Sequence, residues 1–147
     1  MVDRVNVLGI GVSAISLSQA VDHLAAWIAD SARQAHYVCC ADAHSIMEGY
    51  RDPDLRRVYN HADLLTPDGI PLVWLCHAAG YDQVTRVYGP DLLLAACQHG
   101  LSLGWRHYFY GGSQETLDHL TFNLLTRFPD LQIVGTDSPP FRALTPV

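Results

Sequence analysis

Apolar positions along the chain switch repeatedly between two spacings, alternate positions over short runs and every third or fourth position over longer ones. The first spacing predicts half-buried strands and the second amphipathic helices. A strand is predicted over 4–10, closed by Gly9 and Gly11. Ser16, with Gln19 three residues on, reads as a capping box opening a helix whose apolar stripe is Leu17, Ala20, Val21, Leu24 and Ile28. A second strand is predicted over 36–40 and a helix over 43–50, with Asp52-Pro53 capping the next. A third strand over 62–66 ends in Pro67-Asp68-Gly69, and the following helix is expected to bury Ile70, Val73, Trp74 and His77. Further on come a helix from Pro90 or Asp91 to about 101, a strand over 107–110 and a Gly111-Gly112-Ser113 turn. A helix striped by Leu117, Leu120, Leu124 and Phe128 and a strand over 131–135 complete the pattern.

This alternation predicts an α/β fold: a single domain with a mostly parallel, Rossmann-like sheet flanked by helices. Ligands of such sheets bind at the carboxyl ends of the strands. The segments expected at that rim are 9–11, 40–42, 66–69 and 111–113.

Composition narrows the partners. The 147 residues are 49% hydrophobic and 16% charged, enough for a core, and the net charge is −6. An acidic surface without a basic cluster excludes phosphate-backbone recognition, so no nucleic acid is expected. Lysine is absent and all 9 basic residues are arginine, the residue suited to forking onto carboxylates or diphosphates. Cys39, Cys40, Cys76 and Cys97 lack the CxxC spacing of a zinc site, and no run is long and apolar enough to span a bilayer. These features predict a reduced, cytoplasmic protein.

Taken singly, the chemical motifs leave alternatives open. Proline and glycine on either side hold the Asp68 carboxylate at a strand end, as a general base requires. The alternative role for Asp68 is a helix cap. Arg86, beside a glycine turn and a helix start, could neutralise a diphosphate, or it could pair with Asp91 or face solvent. Gly111 and Gly112 open a helix as phosphate-binding turns do, without a complete P-loop or dinucleotide fingerprint; by themselves they read as a plain strand-to-helix turn. Cys40, Asp42 and His44 alternate past a strand and read as rim residues or caps rather than metal ligands. His77, Trp27 and the run Tyr108-Phe109-Tyr110 read as core.

In order, the segments resemble the WecG/TagA/CpsF glycosyltransferase family. The carriers are Val7-Leu8-Gly9-Ile10, Ala62-Asp63-Leu64 leading into Pro67-Asp68-Gly69-Ile70-Pro71, the run from Arg86 through Val87-Tyr88-Gly89-Pro90-Asp91 to Leu92, Tyr108-Phe109-Tyr110-Gly111-Gly112, and Phe128-Pro129-Asp130-Leu131 ending in Val134-Gly135. The tail Ser138-Pro139-Pro140-Phe141-Arg142 resembles the exopolysaccharide-type branch. The resemblance implies an inverting, metal-independent hexosyltransferase that needs no cofactor. Its partners would be a UDP-sugar donor and a polyprenyl-diphosphate-linked sugar acceptor. Asp68 matches the family's catalytic base and Arg86 the arginine facing the diphosphate. Cys40 and Asp42 stand where the family carries Thr-x-Asn, and with Gly69, Gly111 and Gly112 they are expected to bind substrate.

The family continues with another strand, a Gly-x-Pro-x-Gln-Glu motif and a membrane-associating appendage. Residues 1–137 are therefore expected to form an incomplete transferase domain, with 138–147 as a loop tail. Peripheral contact with the inner membrane face is expected only with the appendage supplied, and self-association of the chain is a further expectation. The rival reading is a nucleotide-binding or interaction remnant without turnover.

Overall fold

The computed structural model describes residues 2–32, 34–140 and 142. It has the α/β class expected from sequence. The chain divides into two compact units, 1–96 and 97–147.

The first unit opens with an antiparallel hairpin of β1 (Arg4–Val7) and β2 (Ile10–Ser13). The single strand expected over 4–10 is thus two. Leu8 and Gly9 both take positive φ, 53° and 87°, as the tight two-residue turn of a twisted hairpin demands. The side chain of Asn6 fixes this turn by accepting from the Gly9 N–H at 2.9 Å.

Helix α1 (Leu17–Ala29) starts at Ser16 with the capping box complete in both directions. Ala20 and Val21 are buried, whereas Ile28 is exposed. Next come β3 (Val38–Ala41), α2 (Ala43–Arg51) and α3 (Pro53–His61), the last capped by Asp52, which accepts from the N–H groups of Asp54 and Leu55. Strand β4 (Leu64–Pro67) pairs in parallel with β3, Cys40 opposite Thr66 and Ala41 opposite Pro67. All of its residues are buried, as in parallel strands covered on both faces. Leu65 faces one cluster, with Ile10, Val12, Ile46, Leu72 and Cys76. Leu64 faces another, with Ile15, Val21, Val87 and Leu92.

A side-chain hydrogen bond joins the hairpin to this parallel pair. Ser13, fully buried, accepts from the Leu65 N–H through its hydroxyl at 3.0 Å. Ser13→Ala would leave that amide without an acceptor, and is expected to cost about 1–3 kcal/mol of unfolding free energy in a urea titration. A variant as stable as the parent would show that another acceptor reaches the amide.

Helix α4 (Ile70–Ala78) buries Leu72, Val73 and Cys76. The stripe expected from sequence was different: Ile70 is 44% and Trp74 66% exposed. Because the helix is apolar on every side, its composition does not mark the inward face. His77 is likewise not a core residue; it is exposed and tied by Nε2 to the Val84 carbonyl at 2.8 Å. Trp27 is partly buried and stacks on His36, whose Nδ1 lies 2.9 Å from Asp63. Helix α5 (Gly89–Gly100) runs from the first unit into the second.

In the second unit, β5 (Arg106–Tyr110) and β6 (Gln132–Asp137) pair in parallel around α6 (Gln114–Arg127). Helix α6 is capped by Ser113 and buries Leu117 and Leu124. Tyr108 and Tyr110 are exposed, not core, because strand alternation puts them on the face opposite His107 and Phe109. Burial lowers the pKa of His107 and keeps its ring neutral. Part of the tail, 141 and 143–147, lies outside the described residues.

Candidate active site

Three segments converge at the carboxyl end of the β3–β4 pair: the end of β3 with Asp42, the turn Pro67-Asp68-Gly69, and the stretch 84–88. Backbone hydrogen bonds draw them together. The Asp68 N–H donates to the Ala41 carbonyl and the Val87 N–H to the Pro67 carbonyl, both at 2.9 Å. Thr66, fully buried on β4, sets its hydroxyl 3.3 Å from the Val87 carbonyl. These bonds tie residue 87 to the end of β4. Val87 is fully buried there, with Arg86 and Tyr88 exposed on either side of it in sequence.

Asp68 sits at the centre of this convergence. Its carboxylate accepts from Arg86 Nη2 at 3.4 Å through Oδ1 and from the Gly89 N–H at 3.3 Å through Oδ2. Arg86 Nε also donates to the Asp68 main-chain carbonyl. The alternative role of Asp68, capping the helix that follows it, is not seen: the N-cap of α4 is Gly69, without a side-chain hydrogen bond. Nor does Arg86 pair with Asp91; its partner is Asp68. The Arg86 guanidinium carbon stands 4.3 Å from the centre of the Tyr88 ring.

Asp42 is the N-cap of α2. The Ser45 N–H and hydroxyl both donate to Oδ1 at 2.8 Å, and these bonds hold its pKa below the usual carboxylate range. Gly69 packs directly on it: a Cβ there would come within 3.3 Å of the Asp42 Cα, so any larger residue would push the two turns apart. Cys40 faces Gly89. Desolvation, and after it the negative charge of Asp68, raises its thiol pKa against a lowering hydrogen bond with Thr66. The position thus presents a neutral thiol.

Of the segments expected at one rim, 40–42 and 66–69 meet here and 9–11 does not. Gly9 and Gly11 bind Asn60 on α3, at the opposite end of β4 (Gly11 N–H to the Asn60 side chain, 2.9 Å). A hairpin turn, unlike a βα turn, carries no requirement to lie at the carboxyl edge. Gly111 and Gly112 belong to the second unit, at the carboxyl end of β5, where both take positive φ, 109° and 75°. The Gly111 N–H donates to the Asp137 carbonyl at 3.0 Å, and Ser138 donates to the Gly112 carbonyl at 2.8 Å.

Sequence reasoning assigned Tyr88 and Thr66 no role. The signal for Tyr88 was its spacing, since in a strand-like segment residues two apart share a side.

The fold and site define an α/β protein that offers a carboxylate and a guanidinium at the carboxyl ends of parallel strands, where such folds bind ligands. The chain belongs to the glycosyl transferase WecG/TagA/CpsF family, whose profile matches residues 5–145. It is similar to a Bacillus spizizenii protein, N-acetylglucosaminyldiphosphoundecaprenol N-acetyl-beta-D-mannosaminyltransferase. The identity is 25% over 119 residues, 81% of this chain and 46% of the relative. The chain thus spans about half the length of the curated relative it matches.

Proposed function

We propose that the protein is an inverting hexosyltransferase, moving a sugar from a UDP-sugar to a polyprenyl-diphosphate-linked saccharide in exopolysaccharide or other cell-surface polysaccharide synthesis. The observation that carries this reading is the pairing of Asp68 with Arg86 at the end of β4. One-step inversion needs two groups, a base for the incoming hydroxyl and a cation for the departing diphosphate. The acceptor oxygen attacks the anomeric carbon, its proton passes to the Asp68 carboxylate, and the bond from that carbon to the diphosphate oxygen breaks. UDP leaves with its new charge facing Arg86.

Cys40, Asp42 and Gly69 line the same turns and are assigned to the donor; the family resemblance assigns Gly111 and Gly112, in the second unit, to substrate. The lipid-diphosphate acceptor is supported by the Bacillus relative, whose name specifies a diphosphoundecaprenol-linked sugar. No helix among the described residues is long and apolar enough to cross a membrane. We place the reaction at the inner face of the cell membrane, reached peripherally.

Calorimetric titration with UDP, against ADP and GDP, tests the donor assignment. Selective UDP binding is expected, weakened at least tenfold by Arg86→Ala, since a charge-assisted hydrogen bond contributes about 1.5–3 kcal/mol. Equal binding of all three nucleotides, or an indifferent Arg86 variant, would remove the basis for this reading. Asp42 favours a second reading, nucleotide binding without turnover. Its carboxylate, stabilised in the charged form, adds negative charge beside the place assigned to an anionic donor. Selective UDP binding with no sugar transfer to any lipid-linked acceptor would select it.

A further inference from the structure

Arg86 has two kinds of partner in the site. Its donors reach the Asp68 carboxylate and carbonyl, while its guanidinium carbon lies over the Tyr88 ring, 4.3 Å from the ring centre. On the proposed reading, donor binding must replace the first partner. The guanidinium has to turn toward the diphosphate, and Asp68 has to lose its ion pair before it can take a proton. An arginine whose side chain is 46% exposed would ordinarily gain many rotamers once its carboxylate partner is withdrawn.

Tyr88 removes that freedom without competing for the donors. A cation–π contact takes up no N–H donor, so the guanidinium can change acceptor while it stays over the ring. The ring is itself well placed to stay put. Arg86 and Tyr88 lie two residues apart on the same segment. Between them Val87 is fully buried, its N–H on the Pro67 carbonyl and its carbonyl facing the Thr66 hydroxyl.

We infer that Tyr88 is a positioning residue: a platform on which the Arg86 guanidinium exchanges the Asp68 carboxylate for the donor diphosphate. This rests on the donor reading proposed above.

The test is a double-mutant cycle on UDP affinity, with Tyr88→Phe and Tyr88→Leu made in the parent and in Arg86→Ala. Tyr88→Phe keeps an aromatic face and is expected to stay within about twofold of the parent. Tyr88→Leu is expected to weaken UDP about fivefold, in line with a cation–π contact of about 1 kcal/mol. In the Arg86→Ala background Tyr88→Leu is expected to change nothing further. A loss that persists there would mean that Tyr88 meets the nucleotide itself or holds the loop, and would overturn the inference, as would full affinity in Tyr88→Leu.

A ligand-free readout separates this inference from the donor reading. The Arg86 Nε–H NMR resonance should carry a ring-current shift in the parent and in Tyr88→Phe and lose it in Tyr88→Leu. If UDP does not bind, the same cycle is read with inorganic pyrophosphate. Coupling there would retain the platform and discard the nucleotide. An unshifted resonance, or no binding of either probe, overturns it.

Discussion

Asp68→Asn is expected to lower sugar transfer about 1000-fold, the middle of the range that a positioned general base contributes. The asparagine amide matches the carboxylate in size, and its oxygen can still accept from the Gly89 N–H that now reaches Oδ2. What it loses is the capacity to take a proton and the charge that holds Arg86. UDP affinity should therefore be kept or slightly raised, because Arg86 is released and one negative charge is removed. Transfer to a polyprenyl-diphosphate-linked acceptor, calorimetry with UDP and a thermal melt on the same preparation separate these effects. Transfer within tenfold of the parent would show that Asp68 is not the base. Lost UDP binding with an unchanged melt would place Asp68 in the donor site instead.

Leu72→Ala and Trp74→Ala are expected to differ sharply although they sit two residues apart on one apolar helix. Leu72 is 2% exposed and packs in the cluster with Leu65, Ile46 and Cys76. Its truncation combines lost burial with a residual cavity and should cost about 2–5 kcal/mol, a large share of the 5–15 kcal/mol that holds a typical domain folded. Trp74, 66% exposed, should cost under about 1 kcal/mol despite its larger side chain. Urea unfolding followed by circular dichroism reads both. Comparable losses would mean that Trp74 is buried in solution, by a neighbouring copy or another segment.

The candidate site was legible in parts. Asp68 and Arg86 were both singled out, because proline and glycine around a carboxylate, and an arginine before a glycine turn, are local signals. Their pairing was not legible. A lone arginine offers no clue to which carboxylate it will meet, and Asp91, five residues away, was the natural local candidate. The site pairs it instead with Asp68, brought near by the hydrogen bonds of Val87 to Pro67 and Thr66 at the end of β4. Tyr88 was passed over because its contact with Arg86 exists only once Val87 is buried and Arg86 has met Asp68. Gly9 and Gly11 were overvalued, since a glycine after a short apolar run looks alike in a hairpin and in a βα turn.

The order of elements followed from the sequence by itself. Ser16 with Gln19, Asp52 with Pro53 and Ser113 act on backbone groups within three residues, so their effect is written locally and the helices start where those residues stand. The burial of Leu64 and Leu65 on opposite faces of β4 likewise follows from strand alternation. Tertiary structure alone decided which side of α4 turns inward, which carboxylate receives Arg86, and that the run 4–13 folds back on itself. In α4 every face is apolar, so composition cannot choose one. For Arg86 the partner is brought near by hydrogen bonds between distant segments. In the hairpin, the cost of a positive φ at Leu8 is offset by Asn6, by Asn60 and by the burial of Ile10 and Val12. Periodicity and capping are short-range, whereas facing and pairing depend on contacts that form only when the whole unit packs.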